Sequence, residues 1–271
     1  MIRVVALILS IIVVSTAEAQ DRFIRLGSTT STQDSGLFGY IFPPFRAATG
    51  IAVHVVAVGT GQALAMGRRG DVDALLVHDR IGENKFVADG YGIDRRDVMY
   101  NDFIIVGPNT DPAGIRGFKS ARTALIQIAA AKAPFASRGD DSGTNRVELR
   151  LWKSAGIQPD PHSGWYRDLG QGMGPTLNIA AAMNAYMLTD RATWADFKNR
   201  RSLEILTQGD PALFNSYGSI LVNPARWPEV KINDARIWHE WLTSKSGLDA
   251  ITSYKIDGEE VFFPPRPEEI H

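Results

Sequence analysis

The chain has 271 residues, no cysteine, and 29 Lys and Arg against 30 Asp and Glu, a formal net charge of −1. The missing thiols exclude a disulfide-stapled scaffold and thiolate chemistry. The balanced charge leaves no basic stripe for nucleic acid.

The first residues read as an export signal. Arg3 precedes an apolar run over 4–14, and Ala17-Glu18-Ala19 supplies a small-x-small cleavage site, so a mature chain from Gln20 is expected. The run is too short to span a membrane. Without a cysteine there is no acceptor for a lipid anchor, so the expectation is a free periplasmic protein. Roughly 250 mature residues allow one large or two small domains.

A short strand is predicted over 23–27, then the hydroxyl-rich loop Ser28-Thr29-Thr30-Ser31-Thr32. A helix over 35–48 follows, which Pro43-Pro44 should kink or interrupt. The β-rich run 51–58 turns through Gly59-Thr60-Gly61-Gln62 into a helix ending near Arg68, and 73–78 is a third strand. This β-α-β-α-β order argues a parallel sheet flanked by helices. His54 and His78 fall on strand patterns and read as packed core residues.

Residues 101–106 form a fourth strand. A second α/β segment follows over about 109–208. In it, the strand-like run 133–136 leads through Ser137-Arg138-Gly139-Asp140-Asp141-Ser142-Gly143-Thr144 into a helix. The glycine-rich run 170–174 precedes another helix over 177–184, and 186–190 is a strand. A late strand over 217–224 and two closing helices, about 233–244 and 247–254, complete the chain. Strands at 101–108 and 217–224 read as two crossovers between lobes. The expected division is a leader over 1–19, one lobe from 20–104 and 219–271, and an inserted lobe over 105–218.

Three loops share one chemistry: each follows a strand, is rich in Gly, Ser or Thr, and opens a helix. A helix start carries unpaired N–H groups and partial positive charge. Hydroxyls donate without adding charge, and Arg138 adds a planar fork of donors. These are parts for holding a small oxyanion. Each loop also has a plain reading. Ser142 could simply cap its helix, Arg138 could form a surface pair with Asp140 or Asp141, the Thr29–Thr32 run could be a local turn, Gly59-Thr60-Gly61 could be a tight turn, and 170–174 a flexible joint.

Taken as an ordered set, Thr29-Thr30-Ser31-Thr32-Gln33-Asp34-Ser35-Gly36-Leu37, Ala57-Val58-Gly59-Thr60-Gly61-Gln62, Asp73-Ala74-Leu75-Leu76-Val77-His78, Tyr100-Asn101-Asp102-Phe103, 137–144, 170–174 and Leu188-Thr189-Asp190-Arg191-Ala192-Thr193-Trp194 resemble the tungstate-binding periplasmic proteins of ABC uptake systems. The likeness spans nearly the whole mature chain. The Arg138 loop alone is less specific, because phosphate-binding proteins carry a similar pattern. The resemblance implies a type II periplasmic binding fold, two α/β lobes with a ligand cleft between them. It implies Thr29, Arg138 and Thr144 among the oxyanion ligands, with Thr30, Ser31, Gly61, Ser142 and Gly143 completing the candidate set. It also implies an ABC permease in the inner membrane as partner, tungstate or molybdate as ligand, and no cofactor; a monomer is expected. Molybdate, sulfate and phosphate are the alternatives, since tungstate and molybdate share charge, shape and nearly size. A hydrolase using Ser31 or Ser142 is the distant alternative; no Gly-x-Ser-x-Gly elbow precedes a helix, and the five histidines are scattered.

Overall fold

The structure is a computed structural model that describes residues 22–265. The expected leader and its cleavage point at Ala19 lie outside the described residues. Among those described, no helix is long and apolar enough to cross a membrane.

In chain order the elements of the first lobe are β1 (Phe23–Thr29), α1 (Thr30–Asp34), α2 (Leu37–Thr49), β2 (Ala52–Val58), α3 (Thr60–Arg69), β3 (Ala74–Val77) and α4 (Arg80–Ala88). The long β4 (Gly92–Pro108) leads into the second lobe: α5 (Ala121–Ala130), β5 (Phe135–Ser137), α6 (Gly143–Ser154), β6 (Tyr166–Asp168), α7 (Met173–Met183), β7 (Met187–Asp190), α8 (Arg191–Asp196) and β8 (Leu203–Thr207). β9 (Phe214–Val222) returns to the first lobe, and α9 (Ile232–Thr243), α10 (Lys245–Ser253) and the hairpin β10 (Lys255–Ile256) with β11 (Glu259–Glu260) finish it.

β1 pairs in parallel with β2 on one side and β3 on the other. β9 then runs antiparallel to β3, and β4 antiparallel to β9. The parallel sheet expected of the first three strands is present, and β9 and β4 extend it in the antiparallel sense. The sequence reading missed the reversal because β9 arrives from more than a hundred residues away, and no local pattern encodes it. The carboxyl-terminal half of β4 pairs with β7 and β8, and β5 pairs with β6. Of the two strands expected as crossovers, β4 continues from one set of partners to the other, whereas β9 pairs only with β3 and the amino-terminal part of β4.

Each lobe has apolar cores on both faces of its sheet. In the first, α2, α9 and α10 bury Phe45, Trp238 and Ile251 against Leu26 and Leu76, while α3 and α4 bury Leu64 and Phe86 against Leu75, Val77 and Ile220. In the second, α5 and α6 pack Leu125 and Trp152 against Phe135, and α7 and α8 pack Leu177 and Trp194 against Ile104 and Val106. Fully burying such side chains contributes roughly 1.5–3 kcal/mol each.

Two local expectations, an interruption at the prolines and a packed His54, are corrected. α2 is helical through Pro43 and Pro44. Those prolines deprive the carbonyls of Gly39 and Tyr40 of partners, but all four residues are exposed, so water can satisfy them. His54 is exposed and stacks on Phe23 at 4.6 Å, because β2 lies at the sheet edge. His78 is buried, as its pattern implied.

Candidate functional site

The carboxyl ends of β1, β2, β3, β5 and β7 deliver the polar residues that meet between the lobes. This is where open α/β sheets place their ligands. Five elements contribute, and each residue's position follows from where its strand stops.

β1 runs on through Ser28 and Thr29, and the hydroxyl run predicted as a loop is mostly helix α1. Thr29 is its N-cap, accepting from the Thr32 N–H. Thr29 Oγ1 also lies 3.1 Å from Ser31 Oγ, 2.7 Å from Thr32 Oγ1 and 3.2 Å from His78 Nε2. Ser31 Oγ lies 3.0 Å from the same His78 nitrogen. All but Thr30 in this group are buried.

From the other lobe, the loop after β5 folds back tightly. Gly139 and Asp141 both take left-handed backbone, φ 60° and 54°. A Cβ at Gly139 would displace the exposed Asp168 carboxylate as well as strain the backbone, so glycine is favoured there. The turn brings Asp140 onto Arg138, whose Nη2 donates to Asp140 and, across the crevice, to Thr30 Oγ1 at 3.0 Å. The pair is not a surface one, since Arg138 is 1 % exposed. Its Nε and Nη1 have no hydrogen-bond partner, and neither has the buried Thr144 Oγ1. A buried donor without an acceptor costs about 1–3 kcal/mol, more when charged, and such groups in a native fold point to something that binds there.

The remaining predicted residues close the crevice. The Gly61 N–H donates to Asp141 O at 3.1 Å, and the Gly143 N–H to Thr60 Oγ1 at 2.9 Å, both from lobe to lobe. Ser142 caps α6, accepting from the Asn145 N–H. So the Gly61 and Gly143 N–H groups and the Ser142 hydroxyl are already bonded, whereas Arg138 Nε and Nη1 and Thr144 Oγ1 are not. Further contacts knit the rim: Arg146 and Arg150 reach Asp79 at 2.8 and 3.2 Å, and Asp34 accepts from the Gly174 N–H at 3.2 Å. The glycine-rich run 170–174 therefore packs on α1, where Thr30 lies 3.3 Å from where a Gly172 Cβ would be.

Sequence reasoning missed a buried polar chain behind the hydroxyls. His78 Nδ1 lies 3.1 Å from Asn215 Oδ1, Asn215 Nδ2 donates to Asn101 Oδ1 at 2.6 Å, and Asn101 Nδ2 reaches Asp190 Oδ1 at 3.5 Å. The order of donors fixes the Nδ1–H tautomer of His78 and leaves Nε2 as an acceptor for Thr29 or Ser31. Burial, followed by the Arg138 charge, lowers the His78 pKa to about 4. Burial raises that of Asp190 to about 6, against the opposing pull of hydrogen bonds and Arg138. Polar residues placed in otherwise apolar strands, Asn101 and Asn215, were the available signal.

Among the described residues, no group of three or more His, Asp or Glu is placed to hold a metal ion. The arrangement suits an acceptor-only guest: a guanidinium with two spare nitrogens, flanked by hydroxyls and held between two lobes.

Residues 14–246 match the family described as the PBP superfamily domain. The tungstate-binding protein TupA of Peptoclostridium acidaminophilum is 45% identical over 244 residues, covering 89% of this chain and 84% of that protein. The solved tungstate ABC transporter protein of Geobacter sulfurreducens is 51% identical with a TM-score of 0.78, covering 86% of this chain and 98% of that one. TupA of Desulfovibrio alaskensis G20 is 43% identical with a TM-score of 0.75, covering 90% and 99%. With such identity running along almost its whole described length, the chain belongs to the PBP superfamily and, within it, to the TupA family of tungstate-binding proteins.

Proposed function

We propose that this protein is the periplasmic substrate-binding component of an ABC uptake system and holds tungstate in the crevice between its lobes. The observation that carries the reading is Arg138, almost wholly buried, with Nε and Nη1 unpartnered, on the same loop-and-helix segment as the buried, likewise unpartnered Thr144 hydroxyl. A tetrahedral dianion offers acceptors on every side, and burying it requires donors in place of its water shell. Relatives named for tungstate support the choice among oxyanions.

In this reading Arg138 and Thr144 bind the anion directly, with Thr30 and Ser31 donating from α1. Thr29 orients that hydroxyl cluster, and Gly61, Ser142 and Gly143 shape the opposite wall. The passage of β4 from its pairing with β9 into its pairing with β7 and β8 supports a boundary near residue 104, and the return of the chain into the first-lobe sheet along β9 supports a second boundary before 219. The protein works as a monomer, exported by cleavage after Ala19, and the closed lobes offer a joint surface to a membrane permease.

Calorimetric titration of the purified protein with tungstate, molybdate, sulfate and phosphate tests this. Tungstate binds tightest, with molybdate its nearest competitor. Sulfate or phosphate binding as tightly as tungstate would overturn the assignment.

A further inference from the structure

The crevice contains a carboxyl group that a dianion site should not tolerate. Asp190 ends β7, is fully buried, and caps α8 by accepting from the Thr193 N–H at 2.8 Å through Oδ1. The same oxygen faces Asn101. Its other oxygen, Oδ2, is buried and unpartnered, like Arg138 Nε and Nη1 and Thr144 Oγ1. Asp190 and Arg138 feel each other's charge yet form no hydrogen bond with each other, and each keeps buried polar atoms without a partner. α8 is also tied to α1, since Thr193 Oγ1 donates to Ser31 O at 3.1 Å.

A guanidinium only donates, and an ionised oxyanion only accepts. An anion seated on Arg138 would therefore meet Asp190 as acceptor against acceptor and charge against like charge. A proton between them converts that repulsion into a hydrogen bond. Resting on the tungstate reading above, the geometry points to Asp190 as a further ligand-binding and specificity-determining residue that holds the dianion in its neutral, protonated form, so that each anion bound brings one proton with it. The carboxyl takes the proton from solvent, Oδ2 carries it, and the O–H donates to the anion; no other bond is made or broken. An anion that keeps its own proton near neutral pH would meet the carboxylate without this uptake.

The surroundings leave Asp190 as the group that responds near neutrality. Arg138, from the loop after β5, stays charged. His78, at the far end of the asparagine pair, is neutral there, because burial and Arg138 hold its pKa at about 4. Tyr217 on β9 is pushed well above its ordinary value by burial and stays protonated. Arg191, next in the chain, is held by both oxygens of Asp102 at 2.6 Å. Asp34 on α1 is bonded to the Gly174 N–H. Asp190 itself starts near 6, so an arriving dianion has only to raise it moderately.

Calorimetry with sodium tungstate decides the matter, run at one pH near 7.5 in buffers of different ionisation enthalpy and then across pH 6.5 to 8.5. Wild-type protein should take up close to one proton per tungstate, and its affinity should fall by up to about tenfold per pH unit above the free carboxyl's range. Asp190→Asn keeps the cap on α8; it should bind tungstate with no proton uptake and a flat pH profile. Zero uptake by the wild type, or undiminished uptake by Asp190→Asn, would overturn the inference. Loss of uptake in His78→Gln alone would move the proton to His78 and overturn it as well. If Asp190→Asn does not fold, infrared difference spectra of the wild type serve instead: the C=O stretch of a neutral carboxyl must grow as tungstate is added, and its absence is a refutation. A wild type with no tungstate binding at any pH defeats the parent reading, an outcome distinct from binding without a proton.

Discussion

Two arginines in this molecule sit inside it, one in each lobe, and they are used in opposite ways. Arg95 on β4 donates through Nε to the buried Glu83 and through Nη2 to Asp97, each at 2.8 Å. It borders a cavity of about 610 Å³, also lined by Asn84, Val87 and Leu248. Arg138 is more deeply buried, shares one nitrogen with Asp140 and Thr30, and leaves two without partners. So a sizeable hollow lies beside the satisfied arginine, and the surplus of donors lies in the crevice between the lobes. For a small anion, unpartnered donors locate the site better than volume does, because a dehydrated anion needs bonds on all sides and little space.

The contrast breaks if the two arginines respond alike to removal. Arg138→Ala should lose two charge-assisted hydrogen bonds to the ligand. At roughly 1.5–3 kcal/mol each this weakens tungstate binding by about two to four orders of magnitude, with the fold retained. Arg95→Ala should do the reverse. It leaves Glu83 as a buried carboxyl without its cation, which costs about 3–5 kcal/mol of stability, while tungstate affinity stays within a few-fold. Thermal melts and titrations of both variants give the answer. An Arg138 variant that binds normally, or an Arg95 variant that loses binding without losing stability, ends the distinction.

A third buried group sharpens the comparison from the acidic side. Glu148 on α6 has no arginine at all; Trp152 Nε1 and the Tyr166 hydroxyl donate to it at 3.1 and 2.8 Å. Burial outweighs those bonds and raises its pKa to about 7. The neutral form is therefore favoured by folding. Its contribution is complete below the unfolded value of about 4.5 and is lost as pH rises through 7, so wild-type stability should fall by about 2 kcal/mol between pH 5 and 7 from this group. Denaturant melts of Glu148→Gln across that range should show a flatter profile. An unchanged slope would mean that Glu148 is not the source.

The sequence made the three oxyanion loops readable because each is local: a strand ends, glycine and hydroxyls follow, and a helix begins within a few residues. Arg138 and Thr144 belong to that grammar. What stayed hidden is what long-range pairing creates. Asn101 and Asn215 meet only because β4 and β9 pair in register, and they join His78 to Asp190 across residues far apart in the chain. No periodicity reports that contact. The bonding of the Gly61 and Gly143 N–H groups to the opposite lobe is hidden for the same reason, since glycine before a helix looks alike whether its donor faces a ligand or a neighbouring loop. The absence of an interruption at Pro43 and Pro44 has a different cause: the carbonyls of Gly39 and Tyr40, which lose their donors, are exposed and reach water.

The smallest expected effect is at Thr144, and it separates an unsatisfied group kept for a ligand from one that is a mere packing defect. Its hydroxyl is buried and unpartnered in the first turn of α6. Thr144→Val keeps the shape and the β-branch but removes the donor. If the hydroxyl serves the anion, the variant should bind tungstate about tenfold more weakly, the worth of one hydrogen bond to a charged group at the low end of its range. The unliganded protein should be no less stable than wild type, since a lone buried hydroxyl is exchanged for a methyl group. Weaker binding together with equal or greater stability is the signature of a residue held ready at a cost to the empty fold. Equal binding would remove Thr144 from the ligand set.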